Sequence, residues 1–153
     1  MVDSVKLVAA AKYHLGVVET APTRGDLIDG WLRQAGTSTG QPWCAAFAFS
    51  CLRAAGFSGK IANAASCAGL VAYARRYNKI VFIPKRGDLV VFDWSDTISP
   101  YDHVGIIERV VSFGPLCTLQ TIEGNTRAAN GKSDGVYRRR RVVKRSSVVF
   151  LRF

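Results

Sequence analysis

The sequence predicts an α+β domain in which N-terminal helices pack on an antiparallel sheet of six strands. Up to about residue 77, apolar residues recur at helical spacing between capping residues and glycines. From residue 80 onward, short β-rich runs alternate with turn segments that contain Gly, Pro, Asn, Asp and Ser. Helices followed by consecutive strands, without a low-complexity linker, are typical of this class. The length of 153 residues predicts a single domain over 1–153.

Four helices are expected in the first half of the chain. Asp3 or Ser4 caps the first helix, and Asp26 caps the second. The third helix, in the segment WCAAFAFSCLRAAG, is apolar on nearly every side, so we expect it in the centre of the fold. The four helices are expected at about 4–15, 26–35, 44–55 and 66–77.

Six strands are expected in the second half, each bounded by turn residues. Two of the separating turns, 95–102 and 124–135, are longer than the others and rich in polar residues and glycine or proline. The strands are expected at IVFI (80–83), DLVVFDW (88–94), HVGIIERVV (103–111), LCTLQTIE (116–123), VYRRRRVV (136–143) and VVFLRF (148–153).

The net charge of +10 is concentrated at the C-terminal end. Nine of the 21 basic residues, against one acid, lie in positions 127–153. In a strand, Arg138 and Arg140 face one way and Arg139 and Arg141 the other. Two interpretations stay open: a solvated edge strand whose charges prevent aggregation, or a basic surface that binds anionic wall polymers. Nucleic-acid binding is disfavoured, because no aromatic platform or helix-turn-helix pattern accompanies the arginines.

Several classes of protein are excluded by the sequence. No apolar run approaches the ~20 residues that a membrane span requires. The N-terminal apolar stretch follows an acid and runs into Lys12, so we expect no secretion signal and synthesis in the cytoplasm of the producing or host cell. The four cysteines have neither zinc-ligand spacing nor the pattern of a disulfide scaffold. We expect Cys51, Cys67 and Cys117 to be packing residues.

The remaining cysteine stands where a nucleophile is expected. Cys44 begins the central helix, where unpaired amides and the helix dipole stabilise a thiolate. His103 opens a strand, and the next strand ends at Glu123 and Asn125. Adjacent antiparallel strands bring His103 beside Glu123, so that the carboxylate orients the imidazole; Asp102 is the alternative orienting residue. This order of residue types is that of a thiol hydrolase.

The segments QPWCAAFAFSCLRAAG, PKRGDLVVF, DHVGIIERV and TIEGN, in this order, resemble the cysteine- and histidine-dependent amidohydrolase/peptidase (CHAP) family. These are papain-like peptidoglycan hydrolases of bacteriophage endolysins and bacterial autolysins. The resemblance covers about residues 5–153, so we expect no separate cell-wall-binding domain. It implies a papain-like fold, with Cys44 as nucleophile, His103 as base, Glu123 as orienting residue and Asn125 as a supporting polar residue.

Further expectations follow from the resemblance. Gln41, three residues before the nucleophile, is the candidate oxyanion donor, and Trp43 is a packing residue or a wall of the substrate groove. Calcium-binding relatives carry acids just before the cysteine, but GTSTGQPW has none, so neither a metal nor a cofactor is expected. Asp26 and Asp29 are interpreted as helix-cap and surface residues.

The expected function is that of a monomeric, endolysin-like enzyme that cleaves an amide bond of bacterial peptidoglycan. The alternative is a non-catalytic basic module that binds anionic wall polymer or nucleic acid. The sequence does not distinguish an amidase from an endopeptidase, because groove side chains decide between them.

Overall fold

The structure is a computed structural model that describes residues 1–94, 101–127 and 133–153. All four predicted helices are present, with bounds within two residues of those expected. They are α1 (Ser4–Tyr13), α2 (Asp26–Gln34), α3 (Cys44–Ala54) and α4 (Cys67–Arg76). Asp3 caps α1, its carboxylate accepting from the amides of Val5 and Lys6, as predicted.

All six predicted strands form one antiparallel sheet in the order β1-β6-β2-β3-β4-β5. The α+β class is therefore confirmed, and the arrangement is that of a papain-like fold. The turns expected at 95–102 and 124–135 lie partly outside the described residues. The strands are β1 (Ile80–Val81), β2 (Leu89–Phe92), β3 (His103–Ser112), β4 (Leu116–Thr126), β5 (Gly135–Lys144) and β6 (Val148–Leu151).

The sheet has two apolar faces, since side chains alternate along each strand. Leu89 and Val91 point toward the helices and join the main core, in which α3 is buried along almost its whole length. Val90 and Phe92 point the other way into a second, smaller cluster. The prediction that α3 occupies the centre of the fold is confirmed, and this position fixes its N-terminal residue, Cys44, against the sheet.

The strand β5 lies at the edge of the sheet, but two of its arginines, Arg138 and Arg141, form ion pairs with buried acidic residues. Arg138 donates two hydrogen bonds to the buried carboxylate of Glu108, at 2.6 and 2.9 Å. Gln120 and Lys12 bind the same carboxylate, at 2.7 and 3.1 Å. The Arg138 hydrogen bond is the largest contribution that holds the pKa of Glu108 at about 2. The Glu108 carboxylate on β3 thus joins α1, β4 and β5.

Two expectations for α2 were wrong. Asp26 is the first residue of the helix and does not cap it, because Gly25 occupies the N-cap position. Asp29 is buried and not a surface residue, and its carboxylate is held by Arg24 at 2.9–3.1 Å. Burial of a carboxylate requires such a partner. Across the described ranges, none of the helices has the length and apolar character needed to cross a bilayer.

Candidate active site

Cys44 is the first residue of α3 and lies at the end of the main core. Its N-cap, Trp43, supplies no side-chain hydrogen bond, so the first amides of the helix are not capped by that residue. The side chain is 7% exposed. A thiol at this position experiences the positive end of the helix dipole, and the Ala45 amide also contributes a hydrogen bond.

His103 begins β3, where its backbone pairs with Phe92 of β2. Its imidazole is stacked on the rings of Phe92 and Trp94, with centroid distances of 6.0 and 5.6 Å. Nε2 lies 2.8 Å from Oε2 of Glu123 on the neighbouring strand β4. The predicted juxtaposition of His103 and Glu123 is therefore confirmed. Stacking on the two aromatic rings holds the plane of the imidazole, and the contact with Glu123 holds its Nε2 edge.

The thiol of Cys44 and the imidazole of His103 shift each other's pKa. The hydrogen bond from Cys67 is the largest influence on the Cys44 pKa and lowers it; burial opposes this, and the hydrogen bond and charge of His103 lower it further. The net effect places the pKa of Cys44 well below that of an ordinary thiol. For His103, burial alone would lower the pKa, but the hydrogen bonds to Cys44 and Glu123 outweigh it and raise the pKa to about 9. These opposite shifts favour a thiolate–imidazolium pair.

Glu123 is completely buried and keeps its charge through three partners. Besides His103, Thr121 donates to Oε1 at 2.6 Å. Arg141 binds both carboxylate oxygens, Nε at 2.9 Å and Nη2 at 2.5 Å. Burial raises the pKa of Glu123, but the hydrogen bonds of Arg141 and His103 more than offset this and hold the pKa at about 2. The group beside the imidazole is thus a permanent carboxylate at neutral pH.

Arg141 was not among the predicted site residues. Its guanidinium carbon lies 5.0 Å from the ring centroid of Trp94 and 5.5 Å from that of Phe92. The same two rings stack on His103. Arg141 therefore contacts both Glu123 and Trp94, and each of these two residues also contacts the imidazole. The only signal in the sequence was the alternation of YRRRR, which places Arg141 on one face of the edge strand without identifying its partner.

Cys67 was also missed, because it was expected to be a packing residue. It is the first residue of α4, is 7% exposed, and its sulfur lies 3.9 Å from the sulfur of Cys44. The pKa of Cys67 is raised, most of all by its hydrogen bond to Cys44 and then by burial. Cys67 therefore stays a protonated thiol that donates a hydrogen bond to the Cys44 thiolate.

Two further candidates, Trp43 and Gln41, differ in their burial. Trp43 is 0% exposed, and its indole donates to Glu19 at 2.9 Å. It is a packing residue, and its assignment to the substrate groove was wrong, because its neighbours in the core cover the whole side chain. An exposed aromatic residue at the site is Trp94, at 51%. Gln41 is exposed in the turn before α3.

Asn125 lies in a bulge of β4, in the left-handed region with φ of 55°. The preceding Gly124 packs so closely on Phe47 and Trp43 that a Cβ would lie 2.8 Å from each. This close packing holds the end of β4 against α3. The Asn125 side chain makes no hydrogen bond to any described residue, so its supporting role stays a prediction.

Asp102 has a structural contact of its own. Its carboxylate accepts a hydrogen bond from the Trp94 amide at 2.6 Å, and Glu123 occupies the orienting position at Nε2 of His103. Within the described residues, no three His, Cys, Asp or Glu side chains are arranged to hold a metal ion.

The pKa shifts predict the pH dependence of any reaction that uses this pair. The reactive form has Cys44 deprotonated and His103 protonated, so kcat/KM is expected to be nearly constant from about pH 6 to pH 8 and to fall above the His103 pKa of about 9. Initial rates of substrate cleavage across this range are the measurement. A rate that increases steadily from pH 7 to pH 9 would indicate an ordinary thiol and contradict the assignment.

One known protein family matches the part of the chain that contains these residues. A family model described as CHAP domain matches residues 36–125, which include Cys44, His103, Glu123 and Asn125. No curated protein and no solved structure matches the chain. The match covers more than half of the chain and runs from the turn before α3 to the end of β4.

Proposed function

The chain belongs to the CHAP domain family, and on this premise we propose that it hydrolyses an amide bond of bacterial peptidoglycan by a thiol mechanism. Membership already places it among cysteine- and histidine-dependent amidohydrolases and peptidases. The observation that carries the proposal is the buried series Glu123–His103–Cys44 at the start of the central helix. A carboxylate, an imidazole and a thiol in this order provide an orienting group, a general acid–base and a nucleophile.

In the first step, the Cys44 thiolate attacks the carbonyl carbon of the scissile amide. The new carbon–sulfur bond moves the carbonyl electrons to oxygen, which develops negative charge. The backbone amide of Cys44, at the N-terminus of α3, is the proposed first donor to this oxygen, and Gln41 is the proposed second donor. Loss of this donor in Gln41→Ala is expected to lower the rate of wall hydrolysis about 10²-fold or more.

In the second step, the imidazolium of His103 donates its proton to the leaving amine. The carbon–nitrogen bond breaks, and an acyl-enzyme remains on Cys44. Neutral His103 then removes a proton from water, and the hydroxide releases the acyl group and restores the thiolate. Glu123 stabilises the imidazolium formed in each cycle, since it is ionised and lies 2.8 Å from Nε2.

Identification of the released termini tests the proposal. Purified peptidoglycan is digested with the protein, and the soluble fragments are identified by mass spectrometry. A new amino terminus on the first stem-peptide alanine indicates an amidase, and one within the stem or cross-bridge indicates an endopeptidase. Absence of any new amino terminus from several wall types, with folded protein, would overturn the proposal.

We also propose a lytic, endolysin-like role, in which the protein is made in the host cytoplasm and acts on the bacterial wall as a monomer. This rests on the use of CHAP domains in phage endolysins and bacterial autolysins. Turbidity loss of intact cells after external addition, compared with that of purified walls, measures the lytic activity. Walls that dissolve while permeabilised cells stay intact would contradict the lytic role.

The basic edge strand is proposed to attract anionic wall polymers, although two of its arginines are engaged by acids. Arg140 and Lys144 are exposed on β5 and supply the charge of this surface. Because exposed charges are screened by salt, wall binding is expected to weaken as the ionic strength rises from about 0.01 to 0.15 M. Co-sedimentation with walls measures it, and Arg140→Gln/Lys144→Gln is expected to bind less at low salt. A flat salt response would contradict this partner.

A further inference from the structure

The buried thiol of Cys67 hydrogen-bonds to the Cys44 thiolate, but none of its bonds is made or broken in the hydrolytic steps above. Its sulfur lies 3.9 Å from that of Cys44, within the reach of a side-chain rotation but outside bonding distance. The two cysteines begin different helices, α3 and α4, and lie 23 residues apart in the chain. The other two cysteines are buried, and among the described residues neither forms a hydrogen bond with the pair.

We propose that Cys44 and Cys67 form a peroxide-responsive pair, in which Cys67 traps the oxidised nucleophile as a reversible disulfide. The nucleophile is that of the proposed function, but the disulfide is detected by mass and does not depend on hydrolysis. Hydrogen peroxide is the oxidant, and a small dithiol or a thioredoxin-type protein is the reductant. The modification is thus an oxidation of the proposed nucleophile, Cys44.

Oxidation begins at Cys44, because a thiolate reacts with peroxide and a thiol does not. The Cys44 sulfur attacks one peroxide oxygen, the oxygen–oxygen bond breaks, and the departing hydroxide takes a proton to become water. The product is a sulfenic acid at Cys44. A sulfenic acid with no neighbouring thiol is oxidised further to the sulfinic acid, which small thiols do not reduce.

Cys67 is placed to intercept the sulfenic acid. Its sulfur attacks the Cys44 sulfur, the sulfur–oxygen bond breaks, and the hydroxide leaves as water with the Cys67 proton. Two thiols are thereby oxidised and one peroxide is reduced to two waters. The sulfur atoms must approach from 3.9 Å to about 2.05 Å for this bond to form.

The charge of the site favours this order of events. The pKa of Cys67 is raised chiefly by its contact with Cys44, so Cys67 is the protonated partner while Cys44 is a thiolate. Once Cys44 is a neutral sulfenic acid, Cys67 no longer donates to a thiolate or lies beside its negative charge, so Cys67 ionises more readily. The nucleophile is therefore oxidised first, and the second thiol becomes reactive only afterwards.

Peptide mapping of the oxidised protein tests the proposal. The folded wild-type protein is treated with a small excess of hydrogen peroxide, free thiols are blocked with iodoacetamide after denaturation, and unreduced peptides are mapped. The expected result is a peptide pair joined through Cys44 and Cys67, lighter by two hydrogens, with Cys51 and Cys117 alkylated. Wall hydrolysis should fall in parallel and return after dithiothreitol.

The variants Cys67→Ala and Cys67→Ser provide the comparison, with Cys51→Ala as the matched control for loss of a buried cysteine. In the Cys67 variants, Cys44 is expected to gain two or three oxygens and the activity not to return; Cys51→Ala should behave as the wild type. If one Cys67 variant fails to fold, the other variant and the peptide map of the wild type still test the proposal.

A wild-type map in which Cys44 carries two or more oxygens while Cys67 stays alkylated would overturn the proposal. The mapping separates this inference from the proposed hydrolase function. A joined pair in a protein without hydrolytic activity leaves the inference standing and overturns the function. Full hydrolytic activity of the reduced protein, with no joined pair after oxidation, would overturn this inference and leave the proposed function standing.

Discussion

Replacing Cys44 with alanine is expected to reduce peptidoglycan hydrolysis to the background rate, a loss of about 10⁴-fold or more. The substitution removes the sulfur that forms the acyl-enzyme, and no other described thiol reaches the same position with a lowered pKa. Release of new amino groups from purified walls measures the effect. The fold should be retained, because alanine is well tolerated in a helix and the lost side chain is small.

Cys51→Ala is the matched control, since Cys51 lies on the same helix and is also buried. Its pKa is raised by burial, so it stays a neutral packing residue. We expect Cys51→Ala to keep most of the activity and to lose only a modest part of the stability. Comparable lysis by Cys44→Ala and the wild type would end the assignment of Cys44 as nucleophile.

Replacing Arg141 with leucine is expected to lower hydrolysis by about 10- to 100-fold and the free energy of unfolding by about 3–5 kcal/mol. Arg141 holds both oxygens of Glu123, whose carboxylate is 0% exposed. Without it, a buried charge keeps only Thr121 and His103 as partners. The carboxylate then orients the imidazole less firmly, so Arg141 acts as a positioning residue through Glu123.

The pH dependence distinguishes this role from a merely structural one. Because the pKa of Glu123 is depressed to about 2 from 4.5, its contribution to stability is present above pH 4.5 and lost as the pH falls toward 2. In Arg141→Leu, the pKa of Glu123 rises, so stability and activity should be lost at higher pH than in the wild type. Urea unfolding and hydrolysis rates at several pH values measure the shift.

Arg140→Leu serves as the control, because Arg140 is the neighbouring arginine on the opposite face of β5 and is exposed. It is expected to keep the wild-type stability, pH profile and hydrolysis of small soluble peptide fragments. An Arg141→Leu protein with the same acid limb as the wild type would show that Arg141 does not act through Glu123.

The parts of the site that the sequence predicted are those that depend on local order. Cys44 follows a Gln-Pro-Trp turn and precedes an apolar helix, so its place at a helix N-terminus follows from neighbours in the chain. His103 and Glu123 were paired correctly because they lie on consecutive antiparallel strands. Consecutive strands joined by a short turn are usually neighbours in a sheet.

The parts that were missed depend on contacts between distant segments. Arg141 reaches Glu123 only because β5 pairs with β4 in a register that places Arg141 opposite Leu119, and no pattern in YRRRR fixes that register. Cys67 meets Cys44 because α4 packs with its first residue against the first residue of α3. Trp43 was misassigned because burial of an aromatic residue next to a nucleophile is decided by the packing of α2 and β4 around it.

Cys44 is a thiolate stabilised by Cys67 and His103, and the pH dependence of its alkylation by iodoacetamide reports its ionisation. We expect the folded wild-type protein to react at Cys44 with a nearly constant rate from about pH 5 to pH 8, whereas His103→Ala loses the reactivity at the acidic end. A wild-type rate that is negligible at pH 5 and rises about tenfold per pH unit toward pH 8.5, as for a free thiol, would contradict it.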